Sequence, residues 1–407
     1  MIKLLYFNII VVLISTYSYS QSYKYLKKGA WSAYLQLNNS TKLPFHLEIS
    51  GSKQQPVFTI HNAEEKIELS SIKIINDSLQ IDFPHFHSFI RFVVINKTEI
   101  SGAWTNLNKG DNYRIPFGAN LNLKKNICSQ QKLLNLSGKW KTTFSPKTEY
   151  EEFAVGVFRT EDYSQKITGT FLTESGDYRF LEGFVCDDFM ELAAFDGSHA
   201  FYFSGKLING EIQGEFFSGK HYQKNWTANR DEIFKLRNPD SLTFLVKKDT
   251  FAFKLKDLEG KEFLFPNEQF KNKITIVQIM GTWCPNCLDE TKFLKEMYTK
   301  YHQAGLEIIS VAYETPSIFE EQVQKVKLLK TRLNLDFTFL IGGQANKALA
   351  SEQFSMLNQI TSYPTTIFLD KNGQVTKIHT GFNGPGTGKV YTDFIKETED
   401  FLKELLK

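Results

Sequence analysis

Gln278-Ile279-Met280-Gly281-Thr282-Trp283-Cys284-Pro285-Asn286-Cys287 is the stretch whose reading decides the fold of the C-terminal part of this 407-residue chain. A run rich in Ile and Val over 274–279 predicts a buried strand, and a helical period over 285–304 predicts a helix after a short turn. Cys284 then falls at the helix N-cap, facing unpaired backbone N–H groups and the positive end of the helix dipole, both of which favour a thiolate. Pro285, at the first helical position, has no N–H to leave unsatisfied. Cys284 is therefore the expected nucleophile. Cys287, three residues further on, is placed to attack a mixed disulfide formed at Cys284, which is the resolving role. An inert disulfide or half of a zinc site are the competing readings. Zinc usually takes a second Cys or His pair, whereas Cys128 and Cys186 stand singly far upstream and His302 and His379 are unpaired in motif terms.

Outward from this stretch, strands and helices alternate. Two short strands are expected within 250–265 around Leu258-Glu259-Gly260, a buried strand over 306–313, a helix over 317–333 and a strand over 337–341. A helix over 346–357, a hairpin of 365–369 with 375–379, and a closing helix over 391–406 follow. That alternation predicts a central sheet covered by helices.

With these elements in place, residues 245–407 resemble the exported TlpA/ResA-like disulfide reductases, an α/β thioredoxin fold. Tyr363-Pro364-Thr365-Thr366 before the strand Ile367-Phe368-Leu369 matches the family's cis-proline loop in residues and order. The resemblance implies that Pro364 sits against Cys284 and, with Tyr363, Trp283 and Pro285, helps dock an extended substrate. In the same family an acid follows the second Cys by three positions. Glu290 holds that place, so the resemblance implies a partly buried carboxyl with a raised pKa that exchanges protons with Cys287. Asp289 is expected to be its exposed neighbour. Lys292 departs from the family, which often has a helix-kinking proline there. Peroxiredoxins carry Thr or Ser three positions before the reactive Cys, and Gly281 stands there instead. Gly388-Lys389-Val390 lacks the hydroxyl of a phosphate-binding P-loop.

Upstream, residues 23–230 read as short alternating runs broken by Gly, Asn and Asp, with no long helical period. Aromatics make up 14% of the chain, with 36 Phe and 17 Tyr, which suits pleated sheets. A phrase, Ile-x-Gly-x-aromatic, recurs at Ile100-Gly102-Trp104, Ile167-Gly169-Phe171 and Ile212-Gly214-Phe216, its three residues on one strand face. Gly29-Ala30-Trp31 and Gly138-Lys139-Trp140 begin two stretches whose Trp residues are 109 apart. The chain is thus multidomain: a β-rich module over 23–125, a second over 135–232 that resembles lipocalin-like antiparallel sheets, a linker over 233–244, and the thioredoxin-like domain over 245–407. The β modules are expected to be related antiparallel barrels or sandwiches. Cys128 and Cys186 are expected as unpaired thiols.

Residues 1–20 carry an early Lys3, an apolar stretch over 4–14 and a small, polar end at Ser18-Tyr19-Ser20. This is the pattern of a secretory signal peptide, and its stretch of about 11 residues is short of the roughly 20 that span a membrane. A soluble, exported protein in the periplasm or cell envelope is expected, without stable membrane insertion. The net charge is only +3, with Lys and Arg scattered, so the footprint of a nucleic-acid binder is missing. The expected function is a thiol-disulfide oxidoreductase acting on protein disulfides, needing no cofactor beyond the Cys284–Cys287 couple, with a membrane thiol as the electron donor implied by the resemblance. An envelope binding protein whose β modules capture a partner, and a thiol-dependent peroxidase, remain open alternatives.

Overall fold

A computed structural model describes residues 26–69, 71–121, 134–161, 164–247 and 251–407. The leader expected over 1–20 and Cys128 lie outside them. The described chain divides into two compact units. One holds the residues up to Leu136 with Arg159–Thr168 and Phe180–Thr227, and the other holds Ser137–Phe158, Gly169–Arg179 and Ala228–Lys407.

The first sheet has nine antiparallel strands: β1 (Gly29–Gln36), β2 (Lys42–Gly51), β3 (Pro56–Asn62), β4 (Glu65–Leu69), β5 (Ile72–Ile75), β6 (Ser78–Asp82), β7 (Ser88–Asn96), β8 (Glu99–Asn106) and β9 (Arg114–Leu121). Their order is β4-β3-β2-β1-β9-β8-β7-β6-β5, so β4 and β5 are the edges of an open, half-barrel sheet. The second sheet is made of β10 (Gly138–Phe144), β11 (Glu152–Thr160), β12 (Lys166–Thr173), β13 (Gly176–Asp177), β14 (Leu181–Cys186), β15 (Phe189–Phe195), β16 (Ala200–Ile208), β17 (Glu211–Ser218) and β18 (Tyr222–Arg230). Its order is β11-β10-β18-β17-β16-β15-β14-β12-β13, and the pairing of β11 with β12 closes an eight-stranded barrel. In both sheets the first strand pairs with the last, and the first strand carries a buried Trp, Trp31 or Trp140. The antiparallel β architecture expected upstream is what is found, as one half-barrel sheet and one closed barrel.

The three glycines of those phrases permit close strand approach. A Cβ on Gly102 would lie 2.0 Å from the Arg91 carbonyl oxygen, and one on Gly214 would lie 1.9 Å from that of Ser204. The flanking Ile and aromatic residues are buried at all three sites. In the first unit one apolar core runs from Trp31, Phe45 and Trp104 to Phe195 and Phe217. Phe195 alone meets Phe45, Phe83 and Trp104 with ring centres 4.9, 5.4 and 5.1 Å away, and Asn62 exchanges two 3.0 Å hydrogen bonds with its backbone. Cys186 is disulfide-bonded, which corrects the unpaired thiol expected there; an exported compartment would allow such a bond.

The third sheet contains β19 (Phe253–Asp257), β20 (Glu262–Phe265), β21 (Ile274–Met280), β22 (Leu306–Glu314), β23 (Thr338–Gln344), β24 (Thr365–Leu369) and β25 (Val375–Thr380). The order is β20-β19-β23-β22-β21-β24-β25, with β21, β22 and β23 parallel and the outer pairings antiparallel. The helices are α1 (Pro285–Tyr301), α2 (Phe319–Leu333), α3 (Lys347–Gln353) and α4 (Lys389–Leu406). This is the expected thioredoxin-like α/β arrangement. Every residue of β21 and β22 is buried, as for central strands covered on both faces. α3 stops four residues short of the predicted end, because Leu357 bridges to Leu245 instead of continuing the helix. α1 runs unbroken through Lys292, as a helix without an internal proline should. Among the described residues no helix is long and apolar enough to cross a membrane.

Candidate redox site

β21 delivers the chain to the turn Gly281-Thr282-Trp283, and α1 begins directly after it. Cys284 is the N-cap, with an extended backbone, and its Sγ accepts the N–H of Cys287 at 3.2 Å. Cys284 and Cys287 form a disulfide with Cα atoms 5.2 Å apart. Cys284 is 7% exposed and Cys287 is fully buried, so any incoming group reaches the Cys284 sulfur first. Once the bond is reduced, the Cys287 N–H and the dipole of a 17-residue helix both favour charge on Cys284.

The turn is held by a residue that sequence reasoning missed. Glu314, at the end of β22, accepts the Thr282 N–H at 2.8 Å and the Thr282 hydroxyl at 2.7 Å. The Trp283 indole N–H donates to the Tyr313 carbonyl at 2.9 Å. Gly281 is needed for this packing, since a Cβ there would lie 2.4 Å from the Trp283 Nε1. The only sequence signal for Glu314 was an acid directly after the strand expected over 306–313.

The Tyr363–Pro364 bond is cis. The Tyr363 carbonyl oxygen lies 3.7 Å from the Cys284 Sγ, and the Tyr363 ring packs edge-on against Trp283 and stacks on Tyr313. Pro364 is fixed from behind, its carbonyl accepting the Gly381 N–H at 2.8 Å. The structure therefore brings Trp283, Cys284, Pro285, Cys287, Tyr363 and Pro364 together around one sulfur pair.

Glu290 is 1% exposed, beyond the partial burial expected. Its carboxyl accepts from Gln278 Nε2 at 2.8 Å and from the Thr366 hydroxyl at 2.7 Å. Gln278 in turn accepts the hydroxyls of Ser310 at 2.8 Å and Thr291 at 3.2 Å. Burial pushes the Glu290 carboxyl up to about 7, against the opposing pull of its two hydrogen bonds. The Glu314 carboxyl is also pushed up to about 7 by burial, against its bonds to Thr282.

These shifts carry a stability consequence. In the unfolded chain both carboxyls ionise near 4.5, and in the folded chain near 7. The folded state is thus favoured at low pH, and stability declines as pH rises through that window, by up to about 3 kcal/mol per carboxyl. Glu314→Gln keeps an acceptor for the Thr282 N–H and removes the ionisation. In urea unfolding it should equal the wild type near pH 5 and exceed it by about 2 kcal/mol at pH 8. A constant difference across pH would contradict this.

Asp289 is not the exposed neighbour expected from the helical period. It is 6% exposed and pairs with the equally buried Arg179, because the chain of residues 173–179 lies over the face of α1 that it occupies. Asp289→Ala would take from the buried guanidinium the carboxylate bonded to it and should cost about 3 kcal/mol in chemical unfolding, whereas replacing both partners by Leu should cost less. Equal losses in the two variants would contradict a buried pair. Among the described residues no group of three His, Cys, Asp or Glu is placed to hold a metal ion.

The redoxin family matches residues 246–393. The thiol-disulfide oxidoreductase ResA of Geobacillus thermodenitrificans is 32% identical over 129 residues, which is 32% of this chain and 66% of that protein. The ResA of Halalkalibacterium halodurans is 29% identical over 134 residues, 32% of this chain and 65% of that one. The chain thus spans just under two thirds of the curated relatives it matches. A solved structure, a putative thiol:disulfide interchange protein DsbE from Chlorobium tepidum, covers 40% of this chain and all of its own, with 16% identity and a TM-score of 0.31. The C-terminal region has a thioredoxin-like α/β arrangement and is similar in sequence to ResA, and a β-rich region precedes it.

Proposed function

We propose that this protein is an exported thiol-disulfide oxidoreductase that reduces protein disulfides. The observation that carries the reading is the sulfur pair itself: a slightly exposed Cys284 at a helix N-cap, bonded to a buried Cys287, with the carbonyl of a cis Tyr363–Pro364 loop 3.7 Å from the outer sulfur.

In the reduced protein the Cys284 thiolate attacks one sulfur of a substrate disulfide. A mixed disulfide forms, and the other substrate sulfur leaves as a thiolate that takes up a proton. Cys287 then loses its proton and attacks the Cys284 sulfur, which releases the second substrate thiol and restores the Cys284–Cys287 bond. Two electrons pass to the substrate and the protein is oxidised. A thiol donor, on the ResA resemblance one in the membrane, must reduce it again. Glu290, once ionised, takes the Cys287 proton during resolution. Tyr363 and Pro364 dock the substrate backbone, and Trp283 and Pro285 shape the rim. Net direction follows the reduction potential of the pair against that of its donor. Insulin reduction with dithiothreitol as the electron source tests the reading: the wild-type chain should accelerate precipitation of the insulin B chain well above the dithiothreitol background, and no acceleration would overturn it.

A further inference from the structure

More than a hundred residues upstream of the cysteines, the end of β12 and the start of β13 form a turn over residues 173–179, paired through Leu172 with Asp177 and Thr173 with Gly176. This turn touches three segments that surround Cys284. On α1, the Asn286 side-chain amide donates to the Phe382 carbonyl at 2.9 Å and reaches the Asp177 carbonyl at 3.5 Å, while Arg179 pairs with Asp289. Ahead of the cis-proline, the Ser362 hydroxyl donates to the Ser175 carbonyl at 3.2 Å. After β25, the Gly384 N–H donates to the Asp177 carboxylate at 2.5 Å.

The approach is too close for side chains. A Cβ on Gly176, whose φ is +137°, would lie 2.2 Å from the Asn286 Nδ2, and one on Gly381, at φ +80°, would lie 2.8 Å from the Glu174 carbonyl oxygen. The turn is anchored by the Arg179–Asp289 pair and, at its outer side, by Arg237, which grips the Glu174 carboxylate with contacts of 2.6 and 2.5 Å. A segment fixed by a buried ion pair does not swing aside without leaving charges unpaired.

We propose that residues 173–179 are a specificity-determining wall of the dithiol site, which admits a disulfide carried on an extended, flexible segment and rejects one held on a folded surface. The proposal rests on the oxidoreductase reading above. Its chemistry is steric: thiolate attack needs the incoming sulfur in line with the bond being broken, and only 7% of Cys284 is open to it. A flexible chain can thread past the turn toward the Tyr363 carbonyl. A rigid surface would bring its neighbouring backbone against the outer side of the turn, at Glu174 and the exposed Ser175.

The test uses the full-length reduced protein and one disulfide-bonded loop sequence in two settings, as a free linear-ended peptide and grafted on the surface of a rigid carrier protein. Two variants disturb the wall in different ways. Gly176→Val wedges the turn away from Asn286, and the double variant Arg179→Leu, Asp289→Leu releases its anchor by removing both partners of the pair. Comparing the peptide-to-carrier rate ratio across proteins cancels any change in sulfur reactivity. The wild type should favour the peptide by at least about tenfold over a free dithiol's own preference, and either folded variant should bring that preference to within about threefold. An unchanged ratio in both variants overturns the wall. A wild type that reduces the peptide but shows no preference also overturns the wall while leaving the oxidoreductase reading standing, and one that reduces neither setting overturns both.

Discussion

Cys284→Ser should lower the rate of disulfide reduction by at least about 10³-fold while leaving the fold in place. The expectation follows from the position of the residue. A serine hydroxyl stays protonated at neutral pH, whereas the helix start favours the thiolate of a cysteine, so the nucleophile is lost outright. Serine is also among the preferred N-cap residues, and its oxygen can accept the Cys287 N–H that the sulfur accepts in the native chain at 3.2 Å. Far-ultraviolet circular dichroism and thermal unfolding of the reduced proteins should therefore match. Retention of a rate within tenfold of wild type would mean that Cys284 is not the attacking group.

The second large effect concerns the inner step. Glu290→Gln should slow resolution of the mixed disulfide by about 10²-fold and remove its pH dependence near 7. With the carboxyl pushed up to about 7 by burial, the fraction able to accept the Cys287 proton grows as pH rises through that value, so the wild-type resolution rate should climb across it and level off above. The glutamine variant still accepts from Gln278 through its amide oxygen and can donate from its NH2 to the Thr366 hydroxyl oxygen, but it can take no proton. A residue that merely braces β21 against β24 would lower attack and resolution together and leave the inflection where it was. Stopped-flow fluorescence of the two steps between pH 5.5 and 8.5 separates the cases.

What could be read from the chain alone was what is local in it. Cys284, Pro285 and Cys287 lie on one turn, and a strand-turn-helix pattern fixes their roles without knowledge of neighbours. Tyr363 and Pro364 were legible because the cis-proline loop keeps its residues and its place before a strand. The network under the cysteines was not legible, although its members sit in plain view as polar residues in apolar strands. Gln278 meets Ser310 because β21 and β22 are parallel in that register, and it meets Thr366 because β21 and β24 are antiparallel in theirs; a shift of one residue would turn each partner to the other face. Arg179 gave no signal at all. Its partner Asp289 lies 110 residues away, and helical period can place a carboxylate on a face without saying what covers that face. In the β-rich region the repeated glycine phrase marked strands, while closure of the second sheet depends on the pairing of β11 with β12, which no phrase encodes.

The central claim is that Cys284 attacks and Cys287 resolves. The most direct measurement is intact and peptide mass spectrometry of the reduced Cys287→Ala variant after brief exposure to a disulfide-bonded peptide. The predicted result is an accumulated adduct of one peptide, bound through a mixed disulfide to Cys284 and released by dithiothreitol. An adduct that forms only when Cys287 is retained and Cys284 is replaced, or no adduct in either variant, would contradict it.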